Sequence, residues 1–213
     1  MKYVLTFAVL IFSKIVFGQG QFVDDKNSLG LVYGRTSLNE IVNHGIQIGF
    51  SYHGIHDYSL QYINENSQGS TIGFAYQFNI KMEEIKQYVT ADFSLGILYS
   101  NLEDLQISKN NIAITRLLAG WNINLYPIRK EKWLLFFTIG STGGFALVNH
   151  SVQDFYKSTE PKYYLNSTTE RHLGVNAKFN FNEKFSLKLN LAIGSQDSQT
   201  GIKTFNIGII KVL

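Results

Sequence analysis

The chain has 213 residues, of which 45% are hydrophobic, 14% are aromatic and only 16% are charged, and its formal net charge is +3. Charged residues make up about a quarter of an ordinary soluble domain, so this composition disfavours one. The mild charge, without a Lys/Arg cluster along one face, excludes nucleic acid as a partner, and the lack of cysteine excludes both disulfide staples and a cysteine-linked lipid anchor.

Residues 1–18 are predicted to be a cleaved export signal. Lys2 supplies a positive start, residues 3–12 are almost entirely apolar, and small or apolar residues precede Gln19. An uncleaved membrane anchor is the alternative, but the apolar run ends at Ser13, well short of the ~20 residues that a spanning helix needs. The mature domain is therefore predicted to be 19–213.

The mature chain alternates between apolar and polar residues, which is the signal of half-buried strands. Residues 45–53 show it most clearly, because Ile46, Ile48, Phe50 and Tyr52 share one face. Ten such runs are predicted as strands: 28–36, 45–53, 57–64, 70–80, 88–99, 111–126, 133–148, 170–181, 184–194 and 201–213. The expected fold is all-β, an antiparallel up-and-down transmembrane β-barrel of about ten strands; eight remain an alternative if the first two runs or the short third one are misread.

The two faces of these runs differ in a way that favours a membrane protein. The apolar face is large and often aromatic, whereas the other face consists mainly of Gly, Ser, Asn and Gln. A soluble sandwich would carry Lys, Glu and Thr on the face that meets water. Small polar side chains suit a narrow lumen, with the apolar face towards lipid.

The connections between the predicted strands are also unequal. Those after odd-numbered strands include the long polar segments 100–110 and 149–169, whereas those after even-numbered strands are short and charged, with Pro127 just beyond a strand end. Outer-membrane barrels have long outer loops and short periplasmic turns. Both termini of the barrel are therefore expected on the periplasmic side.

Three places depart from simple alternation. Ile112 and Ile114 are out of phase with Leu117 and the apolar residues that follow it, which predicts a β-bulge near Thr115 or a strand that extends beyond the membrane. Residues 133–137 are apolar on both faces and could pack inside the barrel. Lys211 shares the apolar face of the last strand and must extend towards the interface.

The chain resembles the small bacterial outer-membrane β-barrel protein families in its signal segment, its repeated motifs such as Ile48-Gly49-Phe50 and Ile72-Gly73-Phe74, and a terminal strand that runs to the last residue. The resemblance covers residues 29–213. It implies location in the outer membrane and insertion by the barrel-assembly machinery. Such families usually end in an aromatic residue, whereas this chain ends in Leu213.

Polar residues on the inward faces are the candidate functional residues. They are Gln77, Asp92, Arg116, Asn176, Lys178, Lys188 and Asn190. We expect Asp92 and Arg116, on neighbouring strands, to form an interior ion pair, because a buried charge needs a partner. Lys178 and Lys188 are expected almost opposite each other, where they repel unless an acid or a bound anion lies between them.

Two other sets of residues could carry chemistry but do not match a known site well. His53, His56 and Asp57 flank a tight turn, and a His-x-x-His pair without a third convergent ligand is a weak metal signal. His150, Ser151 and Asp154 lie on one long loop, where such residues are usually solvated rather than a catalytic triad. No cofactor and no metal are predicted.

The sequence therefore predicts a non-enzymatic outer-membrane barrel with a narrow polar lumen, whose outer loops serve surface interaction or envelope integrity. Its expected partners are membrane lipid, the assembly machinery and an extracellular or periplasmic protein. The alternatives are a small channel with a weak anion preference, an outer-membrane hydrolase or acyltransferase, a subunit of a secretion or assembly complex, and a soluble ligand-binding barrel with its apolar residues inside.

Overall fold

The computed structural model describes residues 26–38, 41–65, 69–81, 89–104, 110–130, 132–150, 162–196 and 199–213. The predicted signal segment lies outside these residues. Ten strands make up the fold: β1 (Ser28–Leu38), β2 (Ile41–Tyr52), β3 (His56–Asn64), β4 (Gly69–Lys81), β5 (Val89–Asp104), β6 (Asn110–Arg129), β7 (Trp133–His150), β8 (Lys162–Asn180), β9 (Phe185–Gln196) and β10 (Gln199–Val212). In the part of the chain that the structure describes, no helix is long and apolar enough to cross a membrane.

The strands form one closed antiparallel barrel in which each strand pairs with its sequence neighbours and β1 pairs with β10. The prediction of ten strands is confirmed. Ser28 lies opposite Val212, so both ends of the barrel meet at one rim, which we call the terminal rim. The opposite rim, which contains the β1–β2, β5–β6 and β7–β8 connections, is the loop rim.

Several strands extend further towards the loop rim than the sequence pattern indicated. β8 begins at Lys162 rather than at residue 170, and β5 continues to Asp104, so residues 100–104 of one predicted loop and residues 162–169 of the other are strand. The pairing with β7 continues from Thr169 to Lys162. This part of β8 reads Lys-Tyr-Tyr-Leu-Asn-Ser-Thr-Thr, which lacks the alternation that one apolar face imposes.

The large apolar side chains face outward and the polar ones face inward. Leu95, Leu191 and Ile193 are 60%, 59% and 59% exposed, whereas Gln77 on an inward face is 2% exposed. This surface is the inverse of a soluble barrel, which buries its apolar residues, and the soluble alternative is therefore wrong.

The apolar residues at the start of β6 point into the barrel without a bulge near Thr115. Pairing with β7 runs without a break from Ile112 to Leu125, and Ile112 and Ile114 are 2% and 0% exposed. β6 has 20 residues, whereas a membrane crossing needs about 9–11. Ile112 and Ile114 are out of phase with the later apolar residues because they lie on the part of β6 that extends beyond the membrane, where no lipid requires an apolar outer face. The irregularity in this ladder lies between Leu125 and Ile128, where Pro127 has no N–H to donate.

The β2–β3 connection is a tight turn with left-handed backbone. His53 and Gly54 have φ of 52° and 62°, and the Ile55 N–H donates to the Tyr52 carbonyl at 3.1 Å. Two consecutive positive φ values give a turn whose twist matches that of the flanking strands. Glycine adopts this conformation readily, whereas His53 adopts it at a cost that the hairpin offsets.

Candidate functional site: the polar lumen

All seven predicted lumen residues lie inside the barrel and are at most 7% exposed. Alternation brings them there, because every second side chain of a barrel strand faces the interior. Their neighbours include further buried polar residues that the sequence did not single out, among them Asn122, Asn124, Thr138, His172 and Asn206, together with Asp57, which had been considered only for a metal site.

A continuous chain of hydrogen bonds runs round the inner wall from β10 to β5. We call it the asparagine chain: Asn206, Asn190, Asn176, Thr138, Asn124 and Asp92, one residue from each of six adjacent strands. Its donor–acceptor distances, in that order, are 3.0, 2.9, 2.9, 2.7 and 2.9 Å. The chain links more than half of the barrel wall through side chains alone.

Every link of the asparagine chain donates towards Asp92. The Asn124 amide donates to Asp92 Oδ2, and the Asn122 amide donates to Oδ1 of the same carboxyl group at 2.6 Å. A carboxylate only accepts hydrogen bonds, so it sets the orientation of Asn124, whose own oxygen then accepts from Thr138. Hydrogen bonds aligned in one direction polarise and strengthen one another in a low-dielectric interior.

A branch of this network crosses over β7. His172 on β8 and Asn122 on β6 approach each other across the β7 backbone, with Nε2 and Oδ1 2.8 Å apart. Gly140, on the intervening strand, makes the approach possible. A Cβ atom added there would lie 2.0 Å from Asn122 Oδ1, 2.6 Å from the Trp121 carbonyl oxygen and 2.8 Å from His172 Nε2.

The variant Gly140→Ala is expected to lower the free energy of unfolding by about 1–3 kcal/mol, because the added methyl group must displace the Asn122–His172 contact. Gly174→Ala on β8 is the matched control, since its added Cβ finds no atom nearer than 3.3 Å. Denaturant titration in lipid vesicles measures both. Equal losses in the two variants would contradict this role for Gly140.

A second polar group faces the asparagine chain from β3 and β4. Asn79 donates to Asp57 Oδ2 at 2.9 Å, and Gln77 donates to Asn79 Oδ1 at 2.7 Å. Lys188 on β9 interacts electrostatically with both Asp57 and Asp92. Charges from β3, β5 and β9 thus meet within the lumen.

The predicted ion pair between Asp92 and Arg116 does not form. Asp92 lies opposite Asn122 in the β5–β6 register, whereas Arg116 lies opposite Leu98, six residues further along β5. The β5–β6 hairpin is centred at residue 107 rather than at residue 104, which a pairing of Asp92 with Arg116 requires, so the two residues are at different heights in the barrel. Asp92 is instead held by two asparagine amides, and Arg116 interacts with Glu65.

Arg116 belongs to a separate cluster nearer the loop rim. Its Nη1 donates to Ser100 Oγ at 3.3 Å, and the Thr71 hydroxyl lies 2.7 Å from Ser100 Oγ and donates to Glu65 Oε1 at 2.5 Å. Glu65 lies just beyond the end of β3, and burial raises its pKa to about 8, while the Thr71 hydrogen bond and the Arg116 charge limit the rise. Sequence reasoning missed Glu65 because it lies outside the alternating run.

Lys178 and Lys188 lie directly opposite each other in the β8–β9 register, as expected. Repulsion between two cations in this position requires a compensating group. Asp57 and Asp92 lie within electrostatic reach of Lys188 and provide that compensation. A bound anion is not needed to explain the pair.

Buried apolar clusters lie towards both ends of the lumen. Near the loop rim the cluster consists of Leu102, Ile112, Ile114, Ala146 and Val148. Near the terminal rim Tyr126 packs with Leu134 and Phe136, which confirms that residues 133–137 supply an interior patch. The sequence indicated the second cluster by its unbroken apolar run but not the first, whose members come from three separate strands.

The three residues that were considered for a metal site, His53, His56 and Asp57, do not converge. His53 is in the β2–β3 turn, His56 Nδ1 lies 2.8 Å from the Tyr76 hydroxyl, and Asp57 faces the lumen. Ser151 and Asp154 lie outside the described residues, and His150 is the last residue of β7. Within the described ranges, no group of three or more His, Asp or Glu side chains could hold a metal ion.

A closed barrel satisfies all its backbone hydrogen bonds within the wall, and this one exposes apolar side chains around a polar interior. Four features together define the outer-membrane architecture: closure of the barrel, an even number of strands, both ends at one rim and a lipid-compatible surface. This chain is an integral outer-membrane β-barrel.

Comparisons with known proteins return barrels of this kind. No family model and no curated protein matches the chain. An outer membrane channel from Pseudomonas putida F1 is 10% identical, with 94% of this chain and 100% of that one covered and a TM-score of 0.46. The NanC porin is 9% identical, with coverages of 87% and 100% and a TM-score of 0.45.

The attachment invasion locus protein Ail of Yersinia pestis is also similar. It is 13% identical, with coverages of 88% and 97% and a TM-score of 0.33. Identities and scores of this size carry no information about what the present chain binds.

Proposed function

We propose that this protein is a non-enzymatic outer-membrane barrel with a closed lumen, which acts at the cell surface through the strands and loops at its loop rim. The asparagine chain is the observation that carries the proposal. It occupies the inner wall of six adjacent strands with side chains bonded to one another rather than left free to line a passage.

Barrel size and packing support a closed lumen. An eight-stranded barrel is filled by its own side chains, and ten strands add little width. Arg116, Tyr126 and Phe136 are among the largest fully buried side chains, and all three point into this interior. The charge of Lys188 is compensated by Asp57 and Asp92. The lumen therefore does not offer the cationic lining that an anion-preferring channel would need.

Planar bilayers test the closed lumen. We expect the inserted wild-type protein to give no stepwise ion conductance, whereas a general-diffusion porin measured alongside gives clear steps. A heat-modifiable gel shift verifies that the barrel is folded and inserted in the same preparation. Regular steps in the wild type would overturn the closed lumen, and a reversal potential that favours anions would support the channel instead.

The surface role is supported by the length of the strands near the loop rim. β6, β7 and β8 contain 20, 18 and 19 residues, and a crossing needs about 9–11. Most of the excess on β6 precedes Leu117, on the loop-rim side of its apolar face. These strands therefore project from the bilayer at that rim, where a partner can reach them.

An epitope tag inserted after residue 156 should be labelled by antibody on intact cells. The matched control is the same tag in the turn after Glu183 at the terminal rim, which should be labelled only after the outer membrane is permeabilised. The opposite pattern would reverse the orientation, and the loop rim would then face the periplasm, as a secretion or assembly subunit requires.

The hydrogen bonds of the described histidines favour a structural role over catalysis. His44 Nδ1 lies 2.5 Å from the Tyr33 hydroxyl, His56 pairs with Tyr76, and His172 pairs with Asn122. In these three hydrogen bonds the partner is a phenol or an amide rather than the Ser, Thr or Cys nucleophile of a Ser–His or Cys–His pair. These contacts support the non-enzymatic part of the proposal.

A further inference from the structure

On β8, β10 and β1 the outward apolar face ends towards the loop rim in a cation. Beyond the last large apolar residue, β8 carries Arg171, β10 carries Lys203 and β1 carries Arg35, and all three side chains are exposed. On β3 to β6 the corresponding positions hold neutral residues: Asn64, Ser70, Asn101 and Thr115. The charge at this border is therefore asymmetric around the barrel.

Two of these cations are neighbours. Arg35 lies opposite Phe205 and Lys203 lies opposite Ser37 in the β1–β10 register. Residues on such a diagonal are about 7–8 Å apart, close enough for both side chains to reach one phosphate group.

A groove lies against this pair on the outer wall. It has a volume of about 500 Å³ and is lined mainly by apolar side chains from β8, β9 and β10, with Arg35 and Lys203 at its border. The apolar lining comes from Leu173, Val175, Leu191, Ile193 and Phe205. Two interstrand spacings separate Lys203 from Leu173, which places the far side of the apolar lining about 10 Å from Lys203.

The depth of the groove in the bilayer identifies the occupant. Its apolar residues belong to the lipid-facing band, whereas the cations lie where that band ends, at the level of the lipid headgroups. The loop rim faces outward in barrels of this type, so the headgroups at this level belong to the outer leaflet. An acyl chain fits the groove, and a phosphate complements the two cations.

We propose that Arg35, Lys203 and the adjoining groove form a binding site for a phosphorylated, multiply acylated lipid of the outer leaflet. The phosphate contacts Arg35 and Lys203, and an acyl chain lies along Leu191 and Ile193. The opposite half of the wall, with its neutral border, has no such preference.

Native mass spectrometry of the folded barrel in detergent micelles, with purified lipid A as the probe, tests the site. We expect the wild type to retain one lipid A molecule and to bind lipid A with its phosphates removed at least about tenfold more weakly. The double variant R35Q/K203Q should lose about the same factor for intact lipid A. Retention equal to that of the wild type would overturn the proposal.

The matched control is the double variant K184Q/K211Q, which removes two cations at the terminal rim. It should bind lipid A as the wild type does, and an equal loss would mean that only overall charge is sensed. Inorganic phosphate should not displace bound lipid A. Displacement by phosphate alone would overturn the role of the groove. The variant R35K/K203R keeps both positive charges and should bind lipid A almost as tightly as the wild type. A heat-modifiable gel shift verifies that each variant is folded.

Discussion

Replacing Leu95 with Arg is expected to lower the free energy of unfolding in lipid vesicles by about 2–4 kcal/mol, the cost of a charge on the lipid face near the bilayer midplane. Leu95 is the central apolar residue of β5, between Phe93 and Ile97, and it is 60% exposed. Because this side chain lies on the outward face rather than in a packed core, the loss reports contact with lipid rather than a cavity.

Asn101→Arg provides the matched control for Leu95→Arg. Asn101 is on the same strand and the same outward face, beyond the apolar residues of β5. A cation near the interface costs about 0–1 kcal/mol, so the two variants should differ several-fold in effect. Denaturant titration of both variants in the same vesicles measures this difference in the free energy of unfolding. Equal effects would mean that the exposed apolar face does not lie against the hydrocarbon core.

The variant Asp92→Ala is expected to lower the free energy of unfolding by about 2–4 kcal/mol. Two asparagine amides, from Asn122 and Asn124, donate to this carboxyl group at 2.6 and 2.9 Å and would lose their acceptor. A buried donor without a partner costs about 1–3 kcal/mol. Reorientation of the asparagine chain offsets part of the loss, because Asn124 could then turn towards Thr138.

Asp92→Asn separates the loss of an acceptor from the loss of volume. It keeps the shape of the side chain but supplies only one oxygen, so one of the two amides meets an NH2 group, at a cost of about 1–3 kcal/mol. Ser94→Ala is the control on the same inward face of β5 and lies outside the asparagine chain. A larger loss in the free energy of unfolding for Ser94→Ala than for Asp92→Asn would contradict the role of Asp92 as the terminal acceptor of the asparagine chain.

Strand number, topology class and the assignment of faces were predictable because each depends on a period of two along the chain. The runs around Ile48, Phe74 and Leu191 alternate strictly, since one face must meet lipid and the other must not. Where that constraint ends, prediction failed. Residues 162–169 pair with β7 beyond the lipid-facing band, and their sequence carries no periodic signal.

Pairings within the lumen were less predictable, because they depend on register and on contacts between strands that are distant in sequence. An offset of six residues along β5 separates Asp92 from the position opposite Arg116 and removes the expected ion pair. Glu65 follows a strand end, so alternation could not indicate that it faces Arg116. The asparagines were visible as inward polar residues, but their order around the wall was not.

The sequence by itself determined that the chain forms strands with one lipid-facing and one interior face, because local alternation and composition are readable along a single chain. Only the tertiary structure decided which interior groups meet. Closure of ten strands places Asp92 at the end of the asparagine chain and brings Arg35 beside Lys203, from opposite ends of the chain. Such contacts depend on the register summed over all the strands, which no local pattern records.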